Sequence, residues 1–407
     1  MLRLTTSFKG RIALAVAAIS LIIIILIGRM GWIQFVDGKK YSDKMRQQIQ
    51  ENKKLQSPRG TIYDRNGREL AISSLNKSLY VNPKDFKSDP VAVAAALAPI
   101  VKVKQADLEV KLQSDTSFAW IQRTLEPEQY EQVTQIIADK QLKGFSFIDE
   151  SKRYYPNDAL AAQILGFVGT DDVGLDGLER TLDSTIKGQI TKQAVDTDNY
   201  GIPIFKSIFN FTAEKQASSV VLTIDNNIQF IVEQCLDRAV AATGSAAATV
   251  IVMNPKTGEI LAMANRPTFN PNSYSQSSPN SWRNRAVSTI YEPGSTFKSV
   301  VAAAALQEGL VKPDEKIADK GYIEVSGHKI HNWSGEEAYE NSTFTDIVKF
   351  SVNTGFVQVG MRVGAARLTE YARNFGFGKA TGIELPGEEE GILFNPADMR
   401  ASDLATM

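Results

Sequence analysis

The stretch Glu292-Pro293-Gly294-Ser295-Thr296-Phe297-Lys298, followed by the small apolar run Ser299 to Leu306, decides how this chain is read. Pro-Gly marks a turn and the run after it predicts a helix. A serine three residues before a lysine at a helix start places both side chains on one face. That spacing is cheap by itself, since it recurs at Ser74/Lys77, Ser184/Lys187 and Ser326/Lys329. Those three pairs lie in polar, turn-like or pre-turn sequence and are expected to be chance. At Ser295 the pattern suits an activated nucleophile, because a hydroxyl needs a neighbouring base. Lys298 acts as that base only when neutral, which requires lowering its pKa by about three units, roughly 4 kcal/mol. A helix N-terminus supplies about 0.3–2 kcal/mol of this. Desolvation or a nearby like charge has to supply the rest.

A second element stands downstream at Ser351-Val352-Asn353. S-x-N also occurs at Ser74-Leu75-Asn76 and Ser278-Pro279-Asn280, and in isolation Ser351/Asn353 reads equally well as a turn or helix cap. Taken with Ser295 and Lys298 it gains a chemical reading. Ser351 is then a hydroxyl relaying protons between Lys298 and a leaving group, and Asn353 an amide that holds substrate or lysine.

The rest of the chain supplies context. Its 407 residues allow two or three domains, and 43% hydrophobic with 22% charged residues is ordinary for a folded protein. A net charge of -1 gives no reason to expect nucleic acid. Cys235 is the single cysteine, so no intrachain disulfide forms; on a predicted helix it is expected to be buried. With His328 and His331 it makes a poor metal set, and no metal or organic cofactor is expected.

Ile12 to Ile27 is apolar apart from Ser20, and the pattern continues weakly to Ile33. Residues 12–33 reach roughly 33 Å as a helix, enough for a bilayer core of about 30 Å. Arg3, Lys9 and Arg11 precede the span and favour a cytoplasmic N-terminus; Arg29 and Trp32 suit the far interface. The small residues Ala15 to Ala18 lie inside the apolar run and no A-x-A-like site follows it, which favours an uncleaved single-pass anchor over a signal peptide. Everything beyond residue 33 is then expected outside the cytoplasmic membrane.

Tyr41 to Leu55 is polar and helix-compatible, the expected stalk. Thr61 to Ala71 predicts two strands around Asn66-Gly67, and residues 72–215 alternate strands with amphipathic helices such as Pro127 to Lys140. A second unit begins near Ser218, with a strand at Val220 to Ile224 and a helix from Asn226 to about Ala242 capped by Asp225. A hairpin then joins Ala246–Met253 to Glu259–Ala264. The pattern predicts an α+β multi-domain protein whose second unit, strands flanking a helical cluster, is an α+β or α/β sandwich.

Ser295-x-x-Lys298 followed by Ser351-x-Asn353 resembles the penicillin-binding proteins and serine β-lactamases, whose third signature is K-T-G. Pro58 to Gly67, Arg153-Tyr154-Tyr155-Pro156 and Gly174 to Glu179 resemble the N-terminal module of the class B branch. Leu222-Thr223-Ile224-Asp225 and Pro255 to Ala264 look like the opening of its transpeptidase domain. Ser326 to Ile330 and Phe375 to Gly382 lean toward the division-type enzymes. The resemblance implies a cytoplasmic tail (1–11), an anchor (12–33), an elongated pedestal or dimerisation domain (34–217) and a partial transpeptidase domain (218–407). Lys256-Thr257-Gly258 precedes Ser295 and is expected to be a hairpin turn, whereas the family's catalytic K-T-G follows S-x-N. A C-terminally truncated sequence is therefore expected, lacking that strand, its oxyanion N–H and its lysine, the candidate like charge beside Lys298.

The resemblance further implies a D,D-transpeptidase, in which Ser295 attacks the penultimate D-alanine of a peptidoglycan stem peptide ending in D-Ala-D-Ala. Lys298 takes its proton, Ser351 delivers one to the leaving D-alanine, and an amine from a neighbouring stem resolves the acyl-enzyme. β-Lactams are expected to trap Ser295. Implied partners are a membrane-embedded glycan polymerase and division proteins. Arg59, Asp64 and Arg65 read either as part of a docking surface or as a salt-bridged hairpin. The alternatives are a D,D-carboxypeptidase, in which water replaces the amine, and a non-catalytic β-lactam-binding scaffold.

Overall fold

The computed structural model describes residues 8–40, 50–188, 190–196, 217–335 and 337–406. Helix α1 (Phe8–Phe35) is apolar on all sides, and its span Leu14–Phe35 buries none of its length while being long and apolar enough to cross a membrane. A helix apolar all round belongs in a protein core or a bilayer, and no core covers this one. The chain then separates into two compact units that interleave in sequence. One comprises Met1–Gly60, Ser73–Lys152 and Lys187–Ser218; the other comprises Thr61–Ile72, Arg153–Ile186 and Ser219–Met407.

In the first unit, strand β1 (Gln50–Gln56) pairs antiparallel with β6 (Ile190–Asp196). The stalk expected over Tyr41–Leu55 is thus not helical in its second half, because pairing across about 140 residues overrides a helix-compatible composition; residues 41–49 lie outside the described residues. The long strand β3 (Glu69–Val81) pairs with β4 (Ala119–Gln122) and β5 (Phe145–Tyr154). Ser74 and Lys77 lie on β3, not in a turn, and their odd spacing sends them to opposite faces. Helix α2 (Pro90–Val101) starts with Pro at N1 and an Asp89 side-chain cap. It packs with α3 (Gln105–Leu112) and α4 (Pro127–Asp139) around a core that includes Leu79, Leu97, Leu108, Ile121 and Val133.

The second unit holds the predicted site. Strand β2 (Ile62–Tyr63) pairs antiparallel with the start of β3, across a turn where Gly67 has φ +80, and parallel with β7 (Val220–Val221). The strand expected to run to Ile224 ends at Val221. Asp64 is fully buried and accepts from the N–H groups of Asn66, Arg68 and Asn226, while Arg65 pairs with Glu259 at 3.6 Å. Burial would raise the Asp64 pKa, but these hydrogen bonds outweigh it and hold the carboxyl below the usual range. This is the hairpin reading of Asp64 and Arg65. Arg153 and Glu179 form an ion pair at 2.6 Å whose side chains are 3% and 0% exposed.

Helix α5 (Asn226–Thr243), capped by Asp225, packs on the antiparallel hairpin β8 (Ala248–Met253) and β9 (Ile260–Arg266). Lys256-Thr257-Gly258 forms the turn of that hairpin, with Gly258 at φ +78. Cys235 is exposed, contrary to expectation. The buried face of α5 carries Gln229 and Glu233 instead: Gln229 donates to the Met263 carbonyl at 2.9 Å and accepts from its N–H at 2.8 Å, as an adjacent strand would. Helices α6 (Lys298–Gln307), α7 (Phe344–Lys349), α8 (Asn353–Val363) and α9 (Ala365–Asn374) share one apolar core. Ala304 and Ala305 are fully buried on α6, small enough for α8 to pack closely against it.

Candidate active site

Ser295 lies on a short 3-10 turn, Gly294–Phe297, entered through Gly294 at φ +59, where a glycine pays no Cβ penalty. Lys298 begins α6 directly after it. Phe297, between them, is buried and packs edge-on to Phe377 at 5.3 Å, which fixes the turn to the core while Ser295 stays exposed. Lys298 is half-buried. Its Nζ donates to the Ser351 carbonyl at 2.8 Å, to Ser351 Oγ at 3.0 Å and to Asn353 Oδ1 at 2.5 Å. The amine also stands 5.4 Å from the centre of the Phe356 ring. Burial lowers the Lys298 pKa from its ordinary value. Among the two sources that sequence required beyond the helix terminus, desolvation is the one present here.

Ser351 occupies the link between α7 and α8 with φ 53, a left-handed conformation unusual for serine. Its N–H donates to Val348 and the next N–H, of Val352, to the Ile347 carbonyl. The turn directs both the carbonyl and the hydroxyl of Ser351 at one amine. Asn353 opens α8 and donates through Nδ2 to the His331 carbonyl at 2.8 Å, at the end of β11 (His328–His331), which pairs with β10 (Tyr322–Val325). This leaves Oδ1 facing Lys298. Val352, the residue before α8, offers no side-chain cap; the Thr354 N–H donates to Asn332 Oδ1 at 3.2 Å instead.

Ser295, Thr296, Lys298, Ser299, Val348, Ser351 and Phe356 line one open cleft of about 400 Å³. All of the predicted site residues but Asn353 line that cleft, and Asn353 reaches it through Lys298. A smaller hollow of about 230 Å³, lined by residues such as Gln163, Arg180 and Arg283, contains none of them. Among the described residues, no cluster of three His, Cys, Asp or Glu side chains is placed to hold a metal ion. Ser326/Lys329 falls on the β10–β11 turn and Ser184/Lys187 at a four-residue helix, Asp183–Ile186. Sequence reasoning missed Asp319 and Asn332, which lie beneath the Ser351–Asn353 link. Thr354, which bonds both, is 35 and 22 residues away from them, so no local pattern marks that link.

Residues 54–222 match the family model of the penicillin-binding protein dimerisation domain, and residues 248–406 that of the penicillin-binding protein transpeptidase domain. The chain is 34% identical over 379 residues to Stage V sporulation protein D of Bacillus subtilis, covering 92% of this chain and 58% of that one. It is 32% identical over 403 residues to the probable peptidoglycan D,D-transpeptidase PenA of Neisseria meningitidis, covering 98% and 68%. The chain thus spans between 58% and 68% of the length of these curated relatives. Among solved structures it is similar to penicillin-binding protein 3 of Mycobacterium tuberculosis complexed with ampicillin: TM-score 0.60, 27% identity, 86% of this chain and 59% of that one.

Proposed function

The chain belongs to the class B penicillin-binding proteins, and from that premise we propose that it is a peptidoglycan D,D-transpeptidase acting through an acyl-serine. The observation that carries this reading is the convergence of Ser351 and Asn353 on the Lys298 amine inside a cleft that Ser295 lines. Ser295 Oγ forms a bond to the penultimate D-alanine carbonyl carbon as its proton passes to the neutral amine of Lys298. The terminal peptide C–N bond then breaks, and D-alanine leaves with a proton delivered through Ser351 Oγ. The amine of a second stem attacks the ester carbonyl, forming the cross-link and returning the proton to Ser295. Low exposure of Lys298 favours its neutral form, and the exposed Ser295 is open to a peptide from solvent. The Ser295 backbone N–H stabilises the oxyanion in this reading, as the family's reaction implies.

In this reading residues 12–33 anchor the protein in the cytoplasmic membrane, with residues 1–11 inside and the transpeptidase domain outside. Residues 34–217 form the dimerisation pedestal and 218–407 the transpeptidase portion. Its ligands are stem peptides ending in D-Ala-D-Ala and the β-lactams that resemble them. The runs Ser326 to Ile330 and Phe375 to Gly382 support work at the division septum beside a membrane-embedded glycan polymerase. A fluorescent penicillin should label the full-length protein covalently and fail on Ser295→Ala; undiminished labelling of that variant refutes the site. Stem peptide with an amine acceptor should give the cross-linked product, and hydrolysis alone would indicate a carboxypeptidase.

A further inference from the structure

Below the Ser351–Asn353 link lies a carboxylate that the acylation chemistry does not use. Asp319 is 5% exposed, and both of its oxygens are taken up. Oδ1 accepts from the Gly321 N–H at 2.8 Å and from Thr354 Oγ1 at 2.6 Å; Oδ2 accepts from the Tyr339 N–H at 2.8 Å and from Asn332 Nδ2 at 2.9 Å. All four partners are donors, so the position requires a group that only accepts. An ionised carboxylate meets that requirement, whereas an asparagine would turn its own NH2 toward the Gly321 N–H in one orientation and toward the Tyr339 N–H and Asn332 Nδ2 in the other.

Asp319 thereby ties together the two chain segments that define the lysine's surroundings. Asn332 follows His331, whose carbonyl accepts from Asn353 Nδ2; Thr354 follows Asn353, whose Oδ1 accepts from Lys298. The Asn332 side chain in turn caps the start of α8 through the Thr354 N–H. Thr354 and Asn332 are 1% and 4% exposed, so water does not substitute for a lost partner there. We propose that Asp319 is a positioning residue for acylation: by clamping Asn332 to Thr354 it fixes Asn353 and Ser351 around the Lys298 amine. Burial alone would raise the Asp319 pKa, yet the four hydrogen bonds hold it below the usual carboxylate range, so the clamp stays charged at neutral pH. A negative charge at the N-terminus of α8 also suits the helix dipole.

The inference rests on the transpeptidase reading, and its test separates the two. In the full-length protein, penicillin acylation is followed against drug concentration, which resolves the bond-forming rate constant and the non-covalent affinity as separate quantities, with labelled stoichiometry giving the folded fraction. Asp319→Asn and Thr354→Val should each slow bond formation, by roughly tenfold for Asp319→Asn, with binding within about twofold. Thr354→Ser, which keeps the hydroxyl, should recover most of the rate lost in Thr354→Val. An unchanged bond-forming rate in Asp319→Asn overturns the proposal, as does a lower stoichiometry with a normal rate, which marks a folding role alone. A wild-type protein that never labels refutes the transpeptidase reading instead. Positioning is then read from the reactivity of Lys298 toward acetic anhydride, and equal reactivity in Asp319→Asn and wild type overturns it.

Discussion

Gly355 offers a test of how tightly the Ser351–Asn353 link is held. It lies in the first turns of α8 with ordinary helical backbone, so alanine there gains about 1 kcal/mol of helix propensity. Packing opposes the gain. A Cβ at Gly355 would stand 2.6 Å from Ile347 Cγ2, 2.8 Å from its Cδ1 and 3.1 Å from its Cγ1. Ile347 is fully buried and β-branched, so it has no open rotamer to retreat into. Relieving the 2.6 Å contact to an ordinary 3.4 Å needs a movement of 3.4 − 2.6, about 0.8 Å, between α7 and α8. Overpacking of this kind costs about 1–3 kcal/mol, so Gly355→Ala should be destabilising by about 1 kcal/mol net. Hydrogen exchange across residues 344–363 reads that loss locally as a roughly fivefold increase in exchange from structured amides such as Val352, which donates to Ile347. The sign should reverse in an Ile347→Ala background, where the three clashing atoms are gone and only the propensity gain and cavity filling remain. Gly355→Ala with equal or greater protection than wild type, in the wild-type background, would show that α7 and α8 are not packed as described and would refute the argument.

Three further outcomes follow from the charges. Because burial lowers the Lys298 pKa and only the neutral amine accepts a proton, acylation should fall as pH drops through that lowered value; Lys298→Arg should lose about 100-fold or more and flatten the profile. The linked stability change has a definite sign: the unfolded chain binds more protons between the lowered folded pKa and the ordinary lysine value, so Lys298 makes stability rise with pH across that window, measurable by denaturant titration against Lys298→Met. Glu179→Gln removes the carboxylate facing buried Arg153 and should cost about 3–5 kcal/mol in urea unfolding; a loss under about 1 kcal/mol would contradict the buried pair.

Turn chemistry and caps made much of this fold legible in sequence. Asn66-Gly67, Asp225 before α5 and Pro127 at the start of α4 each announce a local conformation whose cause is local. Ser295 and Lys298 are legible for the same reason, since a Pro-Gly turn and a helix start set their spacing. What sequence hid has distant causes. Nothing about Ser351 advertises φ 53, which glycine or asparagine would more commonly adopt; the fixed ends of α7 and α8 impose it. Gln229 looks like a solvent-facing residue until β9 supplies the Met263 backbone it satisfies, and Glu233 until the Gln229 amide and the Ala161 N–H donate to it; Cys235 is turned outward as a consequence. The stretch 50–55 reads as helix-compatible until the strand at residues 190–196 pairs with it.

The geometry around Lys298 also constrains the order of proton movements. An amine nitrogen has three directions beyond its bond to Cε, and the Ser351 carbonyl, Ser351 Oγ and Asn353 Oδ1 take up all three. Among the described residues, Ser295 Oγ has no hydrogen bond to Nζ, so in this arrangement no lone pair is directed at the nucleophile. A neutral amine keeps two of those contacts by donating to the carbonyl and to Asn353, both of which only accept at these atoms. The third, with Ser351 Oγ at 3.0 Å, is the longest and the one that can reverse, with the hydroxyl donating to the nitrogen. If Lys298 is the base proposed above, Ser351 is the group that must rotate for it to receive a proton from Ser295, and the same hydroxyl then lies on the proposed path by which that proton leaves. This makes the proton relay assigned to Ser351 and the base assigned to Lys298 a single switching contact. A carboxylate clamp at Asp319 serves that contact by holding its two fixed partners still while the third turns.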